Sequence, residues 1–392
     1  MSSPMHILFA SDVLPDPNSG AAGTDWQTIE ALRRLGHHVD AVWATDLPHR
    51  IRHGNLHYLL ELPRAYRNAI GARCDRADYD LIHVDQPYAW MAARDHRQRR
   101  RPGVFLNRSH GWEPAVAAAL KPWRQRYGEP EWRFPRGLLG RPVRWVLHRL
   151  YPHRVVRYAD GVIVSCSADR EYILRHEPRA RAQVACIPQA PPEAFLRQPS
   201  LPLTPGRIRR ILHVGQHAFF KGSPLLIEVF NRLASSAQNL DLTWCCAEAS
   251  HPAIRSALSG PAREAVHLVP WMPQDRLIEL YDAHGLFLFP SFYEGFGKAF
   301  LEAMSRGLCV VASDTGGMHD VIADGRDGRL VPVGDVEGFV ATVRAMVADP
   351  AVAAAAGRAA AATASEYTWE RVARETVGFG LGLQTREARR RA

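Results

Sequence analysis

Short apolar runs alternate with stretches whose apolar residues recur every three or four positions along nearly the whole chain. Runs from His6 to Ala10, Val39 to Ala44, Leu81 to Val84, Val104 to Leu106 and Gly161 to Ser165 read as strands. Between the first two, a loop from Ser11 to Gly23 carries Pro15, Pro17 and Ser19-Gly20. It leads into a helix predicted from about Thr24 to Leu35, which Gly36 is placed to end. Residues 196–205 contain three prolines and read as a stiff, extended break. After it the pattern restarts at Arg210, with strands predicted near Leu242 to Cys246, Val266 to Val269, Leu286 to Phe289 and Cys309 to Ala312. A helix is predicted from Trp369 to Thr376, ahead of a basic, frayed end from Arg386 to Ala392. Continuous apolar strands alternating with helices imply parallel sheets covered on both faces. The expected fold is therefore α/β with two Rossmann-like domains, residues 1–195 and 207–368, joined by a linker at 196–206.

Length supports this division, since 392 residues exceed what one core ordinarily holds. Apolar content of 46% and charged content of 23% are those of a globular chain. No run of eighteen apolar residues is present, so no transmembrane helix is expected. The chain passes from Met1 straight into a strand pattern without a basic region, and no signal peptide is expected. The six cysteines form no C-x-x-C pair and suit a reduced compartment, giving a cytoplasmic expectation. His213 and His217 are separated by a glycine-containing strand end, not a helical turn, and no metal site is expected.

Charge is unevenly placed. Residues 1–200 hold 29 Lys and Arg against 20 Asp and Glu, whereas residues 201–392 balance at 20 and 20. The segment 94–157 alone has 16 basic and 4 acidic residues. It interleaves Trp123, Trp132 and Phe134 with arginines in a stretch, Lys121 to Phe134, that reads as neither strand nor clean helix. An apolar stripe of Val143, Val146, Leu147 and Leu150 follows. No nucleic-acid module accompanies the charge, so nucleic acid is not expected as a partner. An anionic membrane surface or an anionic acceptor is, with peripheral attachment to the inner face of a membrane.

The densest chemical signal runs from Ser291 to Met304. Glu294, Gly295, Phe296, Gly297 and Lys298 follow an apolar strand and open into a predicted helix containing Glu302. A strand-end loop feeding a helix N-terminus aims unpaired amides and a positive dipole end at one place, which suits an anion. Two carboxylates eight residues apart, with amide donors between them, suit a ligand with hydroxyls at its ends and phosphates in its middle: a nucleotide sugar. Only three of the 49 basic residues are Lys, and Lys221 and Lys298 both fall in candidate phosphate motifs, where a compact ammonium suits end-on approach.

This segment resembles the Glu-x7-Glu signature of retaining, GT4-type glycosyltransferases, which have the GT-B fold. The resemblance continues through Gly307 to Ser313, Gly316-Gly317 and Asp324-Gly325. Upstream it takes in His213 to Gln216 with Lys221-Gly222, and it is specific over about residues 210–335. It implies two Rossmann-like domains facing across a cleft, with the last helix, about 369–392, crossing back onto the first. It implies a nucleoside-diphosphate sugar as substrate, no cofactor and no metal. The first domain offers the acceptor, a glycan, glycolipid or small molecule. Donor binding falls to Gly20, Gly215, Gln216, Lys221, Met272, Glu294, Gly295, Phe296, Gly297, Lys298 and Glu302. Lys221 neutralises the diphosphate, Glu302 holds the ribose and Glu294 the sugar. Catalytic roles fall to Glu294, Lys221 and His110, the last on the acceptor side. Where the family usually has Gly-Arg, this chain has Gly215-Gln216, and the family's Asn-Gly is Gln189-Ala190. The alternatives are a GT-B phosphorylase or synthase and a non-catalytic or partner-dependent sugar-nucleotide-binding subunit.

Overall fold

The computed structural model describes residues 3–17, 20–52, 54–128, 142–143, 145–178, 182–235 and 239–391. The chain divides into two compact units. The first comprises 1–118, 130–189 and 369–392; the second comprises 119–129 and 190–368.

The first unit is built on a six-stranded parallel sheet: β1 (His6–Ala10), β2 (His38–Val42), β3 (Leu81–Asp85), β4 (Val104–Arg108), β5 (Gly161–Val164) and β6 (Gln183–Cys186). Their order is β2-β1-β3-β4-β5-β6. β1, β3, β4 and β5 are buried almost throughout, which is why they read as unbroken apolar runs. β6 is an edge strand with exposed ends and no such run, so its sequence gave no signal. The tail helix, Trp369–Arg391, belongs to this unit. Gly161 admits Phe379 and Leu383 against β5, and Gln384 donates to the Asp80 carbonyl.

The second unit repeats the plan with β7 (Arg210–Val214), β8 (Asp241–Cys245), β9 (Val266–Val269), β10 (Leu286–Phe289), β11 (Cys309–Ser313) and β12 (Arg329–Val331), in the order β12-β11-β10-β7-β8-β9. Renumbered from one, this is the Rossmann order 3-2-1-4-5-6. Its core gathers Leu212, Phe287, Phe289, Phe300, Met304 and Val310. The contact boundary lies at Gln189/Ala190, ahead of the expected linker. Phe195 is fully buried, and the buried Arg306 guanidinium donates to the carbonyls of Phe195, Gln198 and Pro199 while pairing with Asp282. The proline-rich stretch is thus anchored to its own unit.

The segment after Glu113 corrects the sequence reading. A helix runs from Glu113 to Tyr127 with Pro122 inside it. Proline lacks the amide that would bond four residues back, at Ala118, and Ala118 is where the helix passes from the first unit to the second. Trp123 is not a free membrane-facing ring. It stacks parallel on Phe292 at 5.1 Å and lies over Gly334, within the second unit. Trp132, Phe134 and Arg144 lie outside the described residues. Of the expected stripe, Leu147 is buried and Val143, Val146 and Leu150 are half-buried, while Trp145 beside them is exposed. Among the described residues no single helix is long and apolar enough to cross a membrane.

Candidate active site

In the second unit β7 and β10 are neighbours, yet their connections leave in opposite directions, to β8 and to β11. Loops diverging from such a pair open a crevice beyond the strand ends, where ligands bind in sheets of this kind. The loop after β7 carries Gly215, Gln216 and Lys221; the loop after β10 carries Ser291 to Gly297. The amides of Phe292 and Tyr293 both donate to the Phe220 carbonyl, at 3.0 and 3.3 Å, and join the two loops. Gly222 makes this approach possible. It sits at φ 68°, and a side chain there would overlap the Pro290 carbonyl.

The joined loops bring two of the predicted residues into direct contact. Lys221 Nζ donates to both oxygens of Glu294, at 2.8 and 2.9 Å. Ser291 Oγ donates to Glu294 Oε1 at 2.8 Å. The Glu294 side chain is only 6% exposed, so this buried carboxylate depends on its donors. Gly297, at φ 89°, is the N-cap of the helix Lys298–Ser305. Behind the loop, any side chain at Gly316 or Gly317 would overlap the carbonyls of Glu294 and Phe296. That glycine pair is therefore a floor under the loop. Phe296 itself packs into the core, leaving only its backbone toward the crevice. Glu302 is buried and accepts from Tyr281 Oη at 3.0 Å, and burial raises its pKa above the ordinary carboxylate range.

Other predicted donor-site residues flank this centre. Gly215 donates to the Cys245 carbonyl and accepts from Trp244 Nε1. Gln216 is exposed. Met272 packs on the core beside Trp271, which is 48% exposed. Beneath Gly215, His213 donates from Nδ1 to the Leu288 carbonyl at 2.8 Å, and burial lowers its pKa to about 4. Gly20 opens the first unit's helix Gly20–Arg34.

His110 lies in the first unit, just past β4, and both ring nitrogens are engaged. Nε2 meets Asp85 Oδ2 at 2.7 Å, and Nδ1 meets Gln189 Nε2 at 3.1 Å. The Gln189 amide nitrogen also donates to Ser165, and its oxygen accepts from Thr24. With Nδ1 accepting from the amide, Nε2 carries the proton toward Asp85. Asp25, bonded to Ser11 Oγ at 2.6 Å, lies 3.8 Å from the same nitrogen. Burial, and then the neighbouring Asp85, holds the Asp25 carboxyl well above its ordinary range. Asp25, Asp85 and His110 bring ligand-type atoms within 4.8 Å of one another, the one such group among the described residues. Sequence reading missed Asp25 and Asp85. A signal existed in Asp85, an acid closing an otherwise buried strand run.

Residues 208–349 match the family model described as glycosyl transferases group 1. The chain carries a group 1 glycosyltransferase domain. All the donor-side residues above except Gly20 fall within it. The alpha-maltose-1-phosphate synthase of Mycobacterium tuberculosis (strain CDC 1551 / Oshkosh) is 32% identical over 246 residues, 56% of this chain and 62% of that protein. The D-inositol 3-phosphate glycosyltransferase of Streptomyces avermitilis is 27% identical over 250 residues, 57% of this chain and 52% of that protein. The chain thus matches between half and two thirds of the length of these curated relatives. Among solved structures, sucrose-phosphate synthase from Thermosynechococcus elongatus superposes with a TM-score of 0.74 at 21% identity, covering 99% and 100% of the two chains. Anabaena Alr3699/HepE in complex with UDP and glucose gives 0.65 at 18%, covering 96% and 99%. The group 1 domain is thus the second half of an α/β, two-domain fold of the GT-B type.

Proposed function

We propose that this protein is a glycosyltransferase that moves a sugar from a nucleoside-diphosphate sugar held by the second unit to an acceptor offered by the first. The observation that carries the reading is the Lys221–Glu294 pair, set at the switch point between β7 and β10 and beside the N-terminus of the Lys298–Ser305 helix. The departing nucleoside diphosphate gains negative charge. A fixed ammonium and oriented amides stabilise that charge more in the transition state than in the ground state. Lys221 is the group for this, and Glu302 takes the ribose hydroxyls. Glu294, released from Lys221, orients the sugar. Retention of configuration and independence of metal belong to the same reading, the cation being supplied by Lys221. Exposed Arg94, Arg97, Arg99, Arg149 and Arg157 suit peripheral attachment to an anionic membrane face.

A thermal-shift panel of nucleotide sugars tests donor binding, because a ligand that binds only the native state raises its stability. Upward shifts with one nucleotide series are expected, and a flat panel refutes the reading. A second reading, a sugar-nucleotide-binding subunit without turnover, is favoured by Gln216, which adds no charge where the resembled family has Arg. Release of free nucleoside diphosphate from the bound donor separates the two.

A further inference from the structure

Two helices of the first unit begin side by side, and each opens on a π turn. His57–Glu61 leads into Leu62–Cys74, and Val146–Leu150 leads into Tyr151–Tyr158. In each turn the closing amide reaches five residues back, from Leu62 to the His57 carbonyl and from Tyr151 to the Val146 carbonyl. A proline follows soon after both. Pro63 has no amide for the Leu59 carbonyl four residues back. Tyr151 Oη donates to that carbonyl instead, at 2.7 Å, and pins the two turns together. The Tyr151 ring in turn lies against Trp90, 5.6 Å away.

The joined turns hold apolar side chains in water. Leu56 and Leu60, one turn apart on the first helix, are 56% and 47% exposed, and Trp145, at the head of the second, is 60% exposed. Side chains exposed to that degree project from the surface; they do not line a groove. Basic residues follow them on each helix. Arg64 and Arg67 come after Leu56 and Leu60, and Arg149 and Arg157 come after Trp145; all four are exposed. The Arg97 guanidinium of a neighbouring helix donates to the Arg157 carbonyl and extends the basic stripe. The acid of the first turn, Glu61, is turned inward. Its side chain is 10% exposed and accepts from the amides of Arg50 and Ile51, at 2.9 Å each, so it holds the exposed Arg50 and Arg52 beside the turn.

We infer that Leu56, Leu60 and Trp145 form a wedge that enters the headgroup region of an anionic bilayer, with the arginines behind them on the lipid phosphates. This deepens the peripheral attachment proposed above and rests on it. Three side chains are too few for a stable contact with a second copy, which uses about 20–30 residues a side. A bilayer asks only for apolar side chains at the acyl boundary and cations at the headgroups, each weak alone and effective together. Tryptophan suits that boundary, having an apolar body and a polar N–H. The wedge also sets an orientation. β1 lies between β2 and β3, and the connections from β1 and β3 leave on opposite sides, which makes a switch point in the first unit. The wedge helix is tied to it. Tyr58 stacks on Tyr88, in the loop after β3, at 4.7 Å, and Tyr66 Oη reaches Asp12, in the loop after β1, at 3.5 Å. Docking by this wedge brings that edge, the acceptor side of the proposed function, to the lipid surface.

The test is co-sedimentation of the full chain with phosphatidylcholine vesicles, with and without phosphatidylglycerol, across a salt series. The parent is expected on anionic vesicles at low salt and not on neutral ones. Leu56→Ser, Leu60→Ser and Trp145→Ser together are expected to lower the anionic partition coefficient at least about tenfold, with its slope against salt kept. Arg64→Gln, Arg67→Gln and Arg149→Gln together are expected to flatten that slope. Leu174→Ser, at another exposed leucine of the first unit, is expected to change neither. Bromine-labelled acyl chains read insertion directly. They should quench tryptophan fluorescence of the parent, and Trp145→Phe should still bind yet lose most of that quenching. A parent that binds no vesicles, or neutral and anionic ones equally, overturns the attachment and the wedge together. A triple-serine variant that binds like the parent, or quenching that survives Trp145→Phe, overturns the wedge alone. So does self-association of the parent without lipid that the serine variant abolishes, since a second copy then covers the patch.

Discussion

Replacing Glu294 by Gln should tighten binding of a nucleoside diphosphate while slowing transfer. Lys221 Nζ lies 2.8 and 2.9 Å from the two Glu294 oxygens, so its charge is already neutralised by a carboxylate. A unit-charge pair near 4 Å interacts by about 4 kcal/mol at an effective dielectric of 20. Much of that is offset by desolvation, and Lys221 is 21% exposed, which screens the pair further. A net coupling of roughly 1–2 kcal/mol remains, and a diphosphate must displace it to engage Lys221 fully. Gln keeps the shape and the acceptor for Ser291 but drops the charge. UDP or GDP, whichever the chain binds, should therefore bind about five- to thirtyfold tighter to Glu294→Gln, since about 1.4 kcal/mol is tenfold in affinity. Turnover should fall by at least tenfold, because a neutral amide orients sugar hydroxyls less strongly than a carboxylate.

Isothermal titration with the free diphosphate gives the first number, and initial rates with its sugar conjugate give the second. A companion variant closes the argument. Lys221→Met should weaken the diphosphate and lower kcat/KM about a hundredfold or more, the scale of one lost transition-state donor. It should also destabilise the second unit by about 3 kcal/mol, because Glu294 is left buried with Ser291 as its remaining side-chain donor. The double variant should recover part of that stability. Weaker diphosphate binding by Glu294→Gln, or a double variant that is simply additive, would refute the account of the pair as a mutual block that ligand exchanges.

Three further outcomes are expected. Trp123→Ala should cost about 2–3 kcal/mol and lower the melting temperature, while Trp123→Phe costs less than half of that, since the parallel stack on Phe292 braces both loops. His213 has a folded-state pKa of about 4 against 6.5, so it favours the native state when neutral. Its contribution is complete above about pH 6.5 and is lost as pH falls toward 4, by about 3 kcal/mol in total; urea titrations of His213→Leu should show a flatter acid limb. Sedimentation with anionic vesicles should pellet the protein at low salt and release it at high salt, whereas equal pelleting with neutral vesicles would exclude an electrostatic surface.

Much of the fold was legible because parallel strands buried on both faces leave unbroken apolar runs. β1, β9 and β10 fall where those runs lie, and the others shift by a residue or two at their ends. β6 and β12 were not legible. The first is a partly exposed edge strand and the second has three residues, so neither carries a buried run. The Lys121 to Phe134 stretch was misread because Pro122 and the aromatics look like loop chemistry. The helix tolerates proline where the chain changes unit, and Trp123 has a ring to stack on. The Glu294 loop was legible because its signal is local: strand, glycine, acid and helix follow one another. Its partnership with Lys221, 73 residues away, was not. Nothing local says that a lysine read as a phosphate ligand sits on the carboxylate read as a sugar ligand. Asp25 and Asp85 are harder still, 60 residues apart and without a shared motif.

The two switch points differ in chemistry. The second half of the chain, balanced in charge over residues 201–392, places an ammonium and oriented amides at its crevice, which is what a diphosphate requires. The first half, with nine more basic than acidic residues, places carboxylic acids and tyrosines at its own. Among the described residues of the first unit, Arg108 is buried against a backbone carbonyl, and Arg94, Arg97, Arg99, Arg149 and Arg157 stand in solvent on helical segments or at their ends. Those exposed arginines give the first unit a positive field that reaches into solvent and weakens with salt, so the vesicle experiment reads that field and the diphosphate titration reads the crevice, each independently of the other.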